Sequence, residues 1–411
     1  MSFSNLNLAE SLLKALEASG YQQPTPIQQQ AIPAILRKRD VLACAQTGTG
    51  KTAAFALPII QHLLRSTPSA PSIGPRALII APTRELAIQI DENIAAYTRF
   101  TCIGHAAVFG GVSLSGQISE LQKKPEMLVA TPGRLLDLHA QRELSLQNVA
   151  FLVLDEADRM LDMGFIKDIK KIVSLIPTDR HTSLFSATMP IDITNLANTM
   201  LSNPEQIAVT PVASTVDKIS QAIYPVAKTD KANLLIYLIL KEDHAANILV
   251  FSRTKYGADR IARKLKKNGI SAEAIHGDKK QQTRQNTLAA FKSGKIQALV
   301  ATDIAARGLD IDRLQLVINY DLPNEPETYV HRIGRTGRAG ESGRALSFCS
   351  PEEEEYLSQI IKLIKQQIPL VADHPFVAVN EESHQDQVNK PVPPKPKKKK
   401  KRKRPKAHTP A

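Results

Sequence analysis

Val41-Leu42-Ala43-Cys44-Ala45-Gln46-Thr47-Gly48-Thr49-Gly50-Lys51-Thr52-Ala53-Ala54-Phe55 is the stretch that decides the fold. Its first residues form a short apolar run, the pattern of a strand buried on both faces. Ala45 to Thr52 follow as the GxxxxGK[ST] loop, with alanine in the first glycine position. Gly48 and Gly50 let backbone N–H groups turn toward an anion without a Cβ clash. Ala53 onward continues as an apolar helix whose N-terminus adds a partial positive charge. A strand, a glycine-rich loop and a helix in that order make an α/β unit built to hold phosphate. Lys51 suits β- and γ-phosphates, and the Thr52 hydroxyl suits Mg²⁺.

The rest of the body repeats this alternation. Apolar, strand-like runs lie at 41–45, 77–81, 127–130, 151–154, 183–185, 248–251, 298–301, 316–319 and 345–348. Amphipathic helices are predicted over 85–97 and 256–267, and a closing helix over 352–368 from Leu357, Ile360, Ile361, Ile364 and Ile368. Such alternation predicts an α/β protein with parallel sheets, helices on both faces and active groups at the carboxyl ends of strands. With 411 residues the chain is long enough for two such sheets. The predicted boundaries are a first domain at 1–207, a linker at 208–217, a second domain at 218–370 and a tail at 371–411.

Composition narrows the class. Hydrophobic residues at 43% and charged residues at 23% exclude a wholly disordered or collagen-like chain. No apolar run is long enough for a transmembrane helix, and Met1 to Leu8 lacks a secretory pattern, so a cytoplasmic protein without membrane association is expected. Cys44, Cys102 and Cys349 are widely spaced among apolar residues and are expected to act as small buried hydrophobes. The net charge of +13 is concentrated at one end. Residues 390–411 carry 11 of the 53 Lys and Arg and no acid, leaving 42 basic residues against 40 acidic ones elsewhere. This Pro- and Lys-rich tail reads as a disordered basic arm that attracts nucleic acid through phosphate contacts.

Two further clusters complete a nucleotide site. The run at 151–154 ends in Asp155-Glu156-Ala157-Asp158. Asp155 is the candidate Mg²⁺ ligand, and Glu156 the candidate base for an attacking water. In the second half, His331-Arg332-Ile333-Gly334-Arg335-Thr336-Gly337-Arg338 offers cations for a departing γ-phosphate. Arginine suits that task because its planar fork binds phosphate oxygens bidentately.

Taken in order, these motifs resemble the DEAD-box family of ATP-dependent RNA helicases, over roughly residues 1–370. Phe3, Gly20-Tyr21 and Pro24-Thr25-Pro26-Ile27-Gln28 match its adenine-reading Q motif. Residues 45–52 match motif I. Pro82-Thr83-Arg84-Glu85-Leu86 and Gly110-Gly111 match motif Ia and the glycine doublet, and Thr131-Pro132-Gly133-Arg134 matches motif Ib. Residues 155–158 match motif II, and Ser186-Ala187-Thr188 motif III. Val250-Phe251-Ser252-Arg253, Gln281 with Arg284, residues 301–310 and residues 331–338 match motifs IV, QxxR, V and VI. Within the family the pattern is most similar to the bacterial RhlE-type branch, although the tail departs from it.

The resemblance implies two RecA-like domains in tandem that close on ATP and RNA. It implies an ATP site of Phe3, Tyr21, Gln28, Ala45, Gln46, Thr47, Gly48, Thr49, Gly50, Lys51, Thr52, Gly308 and Asp310. Catalysis would use Lys51, Asp155, Glu156, Arg335, Arg338 and His331, with Mg²⁺ on Thr52 and Asp155. Asp158, Ser186 and Thr188 would couple the nucleotide to closure. Thr83, Arg84, Gly110, Gly111, Thr131, Gly133, Arg134, Arg253, Arg284 and Thr302 would hold the RNA sugar–phosphate backbone, which carries little base information. The expected activity is RNA-stimulated ATP hydrolysis that locally unwinds short duplexes or remodels ribosomal or decay ribonucleoproteins. The expected agent is a monomer binding single-stranded or short duplex RNA irrespective of sequence. An ATP-gated RNA clamp and a DNA helicase of the same superfamily remain alternatives.

Overall fold

The computed structural model describes residues 2–46, 48–66, 74–209, 219–242, 247–306, 314–337 and 343–377. The first sheet contains β1 (Val41–Cys44), β2 (Ala77–Ile80), β3 (His105–Val108), β4 (Met127–Ala130), β5 (Phe151–Leu154), β6 (His181–Ser186) and β7 (Glu205–Ala208). Their order across the sheet is β3-β4-β2-β5-β6-β1-β7, with every pairing parallel. The second sheet contains β8 (Ile219–Pro225), β9 (Ile248–Phe251), β10 (Ala272–Ile275), β11 (Ala298–Ala301), β12 (Leu316–Asn319) and β13 (Gly343–Cys349). It is also wholly parallel, in the order β10-β11-β9-β12-β13-β8.

Both sheets are covered on two faces, which explains their unbroken apolar strands. In β2, Ala77 and Ile79 join one hydrophobic layer while Leu78 and Ile80 join the opposite one. In β9, Ile248 and Val250 face one layer and Leu249 and Phe251 the other. A side chain on either face is removed from water, worth about 1.5–3 kcal/mol for a Leu, Ile or Val. Because the strands are parallel, their carboxyl ends share one edge. The neighbours β5, β6 and β1 therefore bring residues 155–158 and 186–188 together with 45–51, from which more than a hundred residues separate them in sequence.

Several expectations change in detail. Strands β3, β7, β8 and β10 are additional to the predicted runs. The closing helix is shorter than 352–368. A capping box between Ser350 and Glu353 opens a 3₁₀ turn at Pro351–Glu353, the α-helix runs Glu354–Ile364, and Lys365 at φ 53° ends it. Ile368 is buried, but beyond the helix. Cys349 is buried and Cys44 half-buried, whereas Cys102 is exposed, because the turn after the helix Arg84–Thr98 lifts it off the core. Most of the predicted linker and tail lie outside the described residues. Residues 370–377, however, do not separate from the second domain at 370. Val371 N–H donates to Ile223 O at 2.8 Å, Val377 bridges Val226, and Phe376 meets Tyr237 edge-on. These residues form a strap along the outer side of β8. Among the described residues no helix is long and apolar enough to cross a membrane.

Phe151, at the start of β5, lies between two imidazoles: His62 stacks on it at 5.2 Å and His181 sits tilted at 5.6 Å. Burial holds both histidines below their ordinary 6.5, with Lys38 adding to the effect at each. Burial depresses His374 on the strap in the same way. The unfolded chain therefore takes up these protons before the folded one does, and stability is lost as pH falls through about 6.5. Calorimetry should show the melting midpoint falling between pH 7.5 and 5.5, with a smaller fall in His62→Gln/His181→Gln. An unchanged wild-type midpoint would contradict this account.

Candidate functional site

The loop after β1 is tightly built. Gly48 and Gly50 adopt φ values of 79° and 90°, the left-handed region that glycine enters without strain. A Cβ on Gly50 would collide with the Gln28 amide. Gln28 itself is fixed at both ends. Its Oε1 accepts from Thr25 N–H at 2.9 Å in the capping box of the helix Pro26–Leu36, and its Nε2 donates to Gly50 O at 3.1 Å. Thr49 Oγ1 donates to Gln46 O at 2.7 Å and closes the loop. Lys51, the first residue of the helix Lys51–Arg65, is buried, donates to Ala45 O at 3.0 Å and lies 3.9 Å from Asp155 Oδ1. Thr52 follows it on the same first turn, and Thr47 is outside the described residues. Phe3 is buried and meets Tyr21 edge-on, while the Tyr21 hydroxyl pairs with that of Tyr97 at 2.7 Å.

The acidic cluster stands opposite Lys51. Asp155 is 2% exposed, and its Oδ1 takes no hydrogen bond. Burial pushes its carboxyl up to about 6, against the pull of Lys51. A buried carboxylate oxygen without a donor, 3.9 Å from the ammonium of the residue that precedes Thr52, fits a hard divalent cation such as Mg²⁺. Glu156 adopts the left-handed conformation at φ 57° and ψ 53°, and its carboxylate forms a buried ion pair with Arg159. Asp158 carries the densest set of contacts. Its Oδ2 accepts from Ala187 N–H at 3.1 Å, Thr188 N–H at 2.9 Å and Thr188 Oγ1 at 3.0 Å. Ser186 Oγ accepts from Asp158 N–H at 3.2 Å and donates to Thr188 O at 2.7 Å. Burial opposes ionisation of Asp158, but His331, Lys51 and Thr188 outweigh it and hold the carboxyl below its usual range.

That influence of His331 comes from the second sheet. With Arg332, Arg335, Thr328, Asp303, Ala306 and Phe251 it lines a small cavity near the carboxyl ends of β9 and β11. Arg335 is buried. Arg332, part of the cationic run but not among the site residues expected of it, is 2% exposed and grips Asp303 bidentately at 2.6 and 2.8 Å. It also donates to Asn319 and Asp321 O and lies over the Phe251 ring. It thereby fixes the helix that carries His331. Gly308, Asp310 and Arg338 lie outside the described residues.

A second connection joins the sheets. Glu85 accepts from Gln281 Nε2 at 2.9 Å and pairs with Arg284 Nη2 at 3.0 Å, with both charged side chains 9% exposed. The sequence flagged Arg284 but not Glu85 as a site residue. Nearby, Thr83 caps the helix Arg84–Thr98, accepting from Leu86 N–H at 3.3 Å. The Arg84 guanidinium packs where a Cβ on Gly111 would be, beside Gly110. Thr131 is the N-cap of the helix Pro132–Ala140, and nothing approaches the Gly133 Cα face. Arg134 donates to Gln117 Oε1 at 2.7 Å and Val112 O at 3.3 Å. In the second sheet, Arg253 donates to Leu322 O and Glu353, and Thr302 O accepts from the amides of Ala305 and Ala306 in the short helix Asp303–Ala306.

Comparison with known proteins agrees with this geometry. The DEAD/DEAH box helicase family matches residues 25–196, and the helicase conserved C-terminal domain matches residues 230–340. The DEAD-box ATP-dependent RNA helicase CshA of Bacillus subtilis is 44% identical over 369 residues, covering 90% of this chain and 73% of that protein. Dbp5 of S. cerevisiae bound to RNA and ADP BeF3 superposes with a TM-score of 0.81 at 34% identity, over 90% of this chain and 95% of that one. A DEAD box protein from Methanococcus jannaschii, at 39% identity over 90% of this chain and 99% of its own, gives a TM-score of 0.53. The relatives named here show the DEAD-box family and not a branch within it. On these grounds the chain belongs to the DEAD-box family of ATP-dependent RNA helicases.

Proposed function

We propose that this helicase works by interdomain closure, with ATP held between the two sheets and RNA across their carboxyl edges. The observation that carries the reading is the pair of links between the sheets: Glu85 with Gln281 and Arg284, and Asp158 under the charge of His331. The TM-score of 0.81 to the RNA- and nucleotide-bound Dbp5, against 0.53 for the more identical archaeal protein, supports a closed arrangement.

In this reading Gln28 and Tyr21 select adenine, and residues 45–50 cradle the phosphates with backbone amides. Lys51 supplies positive charge at the β- and γ-phosphates, and Arg335 and Arg338 supply it from the second domain, a contribution worth roughly 10³–10⁵ in rate for a finger arginine. Gly308 and Asp310 face the ribose. Thr52 and Asp155 would hold Mg²⁺, which when bound screens charge on the phosphates. Glu156, aimed by its left-handed backbone and by Arg159, accepts the proton of the attacking water. Ser186 and Thr188 report nucleotide state to the RNA side through Asp158. Thr83, Arg84, Gly110, Gly111, Thr131, Gly133 and Arg134 hold RNA on the first domain, and Arg253, Arg284 and Thr302 hold it on the second. Hydroxyls, amides and guanidinium groups read backbone rather than bases, so binding is independent of sequence. The protein acts as a monomer in the cytoplasm on short duplexes or ribosomal and decay ribonucleoproteins, and its basic tail tethers RNA.

Steady-state ATP hydrolysis with single-stranded RNA, matched DNA or no nucleic acid, alongside strand displacement, tests the reading. RNA should stimulate turnover and DNA should not, and Glu156→Gln should lower kcat by about 10²–10⁴. Equal stimulation by DNA would favour a DNA helicase, and hydrolysis without displacement would favour a clamp.

The Glu156–Arg159 pair gives an independent prediction. Removing one member of a buried ion pair strands the other charge and costs about 3–5 kcal/mol. Arg159→Ala should therefore melt well below wild type, and Arg159→Ala/Glu156→Gln should recover part of the loss in denaturant titrations. A single variant as stable as wild type would show that the pair does not fix Glu156.

A further inference from the structure

One helix outside the cleft departs from the charge balance of the body. Residues 1–389 hold nearly equal numbers of cations and acids, yet the helix Lys255–Lys267 has six Lys and Arg and one acid, Asp259. Its inner side is Ala258, Ile261, Ala262 and Leu265, all buried. On the outer side Tyr256, Arg260, Arg263 and Lys267 recur at intervals of four, three and four residues and are all exposed, Tyr256 at 74%. Such intervals align side chains into one stripe, here about 16 Å long at the helical rise.

The neighbouring acids are engaged elsewhere. Asp259 pairs with His276 at 3.0 Å and Lys279 at 2.9 Å, Asp278 with Lys255, and Glu273 with Lys266. Among the described residues no acid pairs with Arg260, Arg263 or Lys267. An exposed aromatic at one end of an uncompensated row of cations is the composition of a single-strand binding surface, where bases stack and phosphates are neutralised. The stripe also starts three residues after Arg253, one of the expected RNA positions of the second domain.

We propose that this helix face is an accessory RNA track, which takes the sugar–phosphate backbone of single-stranded RNA extending beyond the cleft, with Tyr256 stacking on a base. The proposal rests on the RNA-binding reading above and adds a surface that reading does not use.

Fluorescence anisotropy of the full chain with a non-hydrolysable ATP analogue tests it, using labelled single-stranded RNAs of about ten and about thirty nucleotides over a salt series. Arg260→Glu/Arg263→Glu/Lys267→Glu should weaken the long RNA about tenfold and flatten its log–log salt slope by about 2, the value for three phosphate contacts on a single strand. Affinity for the short RNA and the ATPase rate that it stimulates should not change. Tyr256→Ala should weaken the long RNA about fivefold with its salt slope intact. The control Lys167→Glu/Lys170→Glu/Lys171→Glu, on the helix Ile166–Ser174 of the first sheet, makes the same change in net charge and should have less effect. Equal losses in the control, or equal losses for both RNA lengths, would overturn the track. Failure of the wild-type chain to bind either RNA would instead remove the RNA-binding reading and the track with it.

Discussion

The carboxylate of Asp158 is the interaction on which the arrangement of the site depends. It sits at 7% exposure, where an ionised group persists only if donors replace the water it has lost. Three donors from residues 187–188 do so, and they come from the turn after β6, the strand next to β5. The end of β5 is thereby tied to the end of β6, and the turn that carries Asp155 and Glu156 is held in place. His331, from the second sheet, adds to the charges that hold this carboxyl below its usual range. A single buried charge thus connects the phosphate side, the acidic turn and the opposite domain.

The parts of this machine that could be read from the sequence are those whose chemistry is local. Lys51 and Thr52 follow a strand and a glycine-rich turn, and Asp155 follows an apolar run, so residue type and spacing reveal them. The same is true of strands such as Ala77–Ile80 and Ile248–Phe251, whose continuous apolar runs announce burial on both faces. Strands β3 and β10 were not legible because half of His105-Ala106-Ala107-Val108 and of Ala272-Glu273-Ala274-Ile275 is alanine, which has little preference for a pleated conformation. The end of the second domain was misplaced because residues 371–377 carry no helix or strand pattern of their own, and only the folded β8 edge with Tyr224 and Tyr237 gives them partners.

The missed site residues share a different cause. Glu85 and Arg332 are held by partners that neighbour them only once the sheets are formed. Glu85 meets Arg284 across nearly two hundred residues, and Arg332 meets Asp303 and Asn319 from two different strand ends. Charge alone marks such residues as surface. Their burial depends on strand order, which no local pattern encodes. The left-handed backbone of Glu156 is equally silent in sequence, since a glutamate there looks like any acid at a helix start.

The strap at residues 370–377 also bears on how the molecule behaves in company. In a fully parallel sheet the last strand presents a row of unpaired N–H and C=O groups, a template on which a strand of another copy can pair. Here that strand is β8, and residues 369–371 and Val377 occupy part of its outer side. The chain thus seals the open margin of its own second sheet before the basic segment begins. Self-association through strand addition is blocked at that margin by a few residues that belong to neither catalytic domain's motifs.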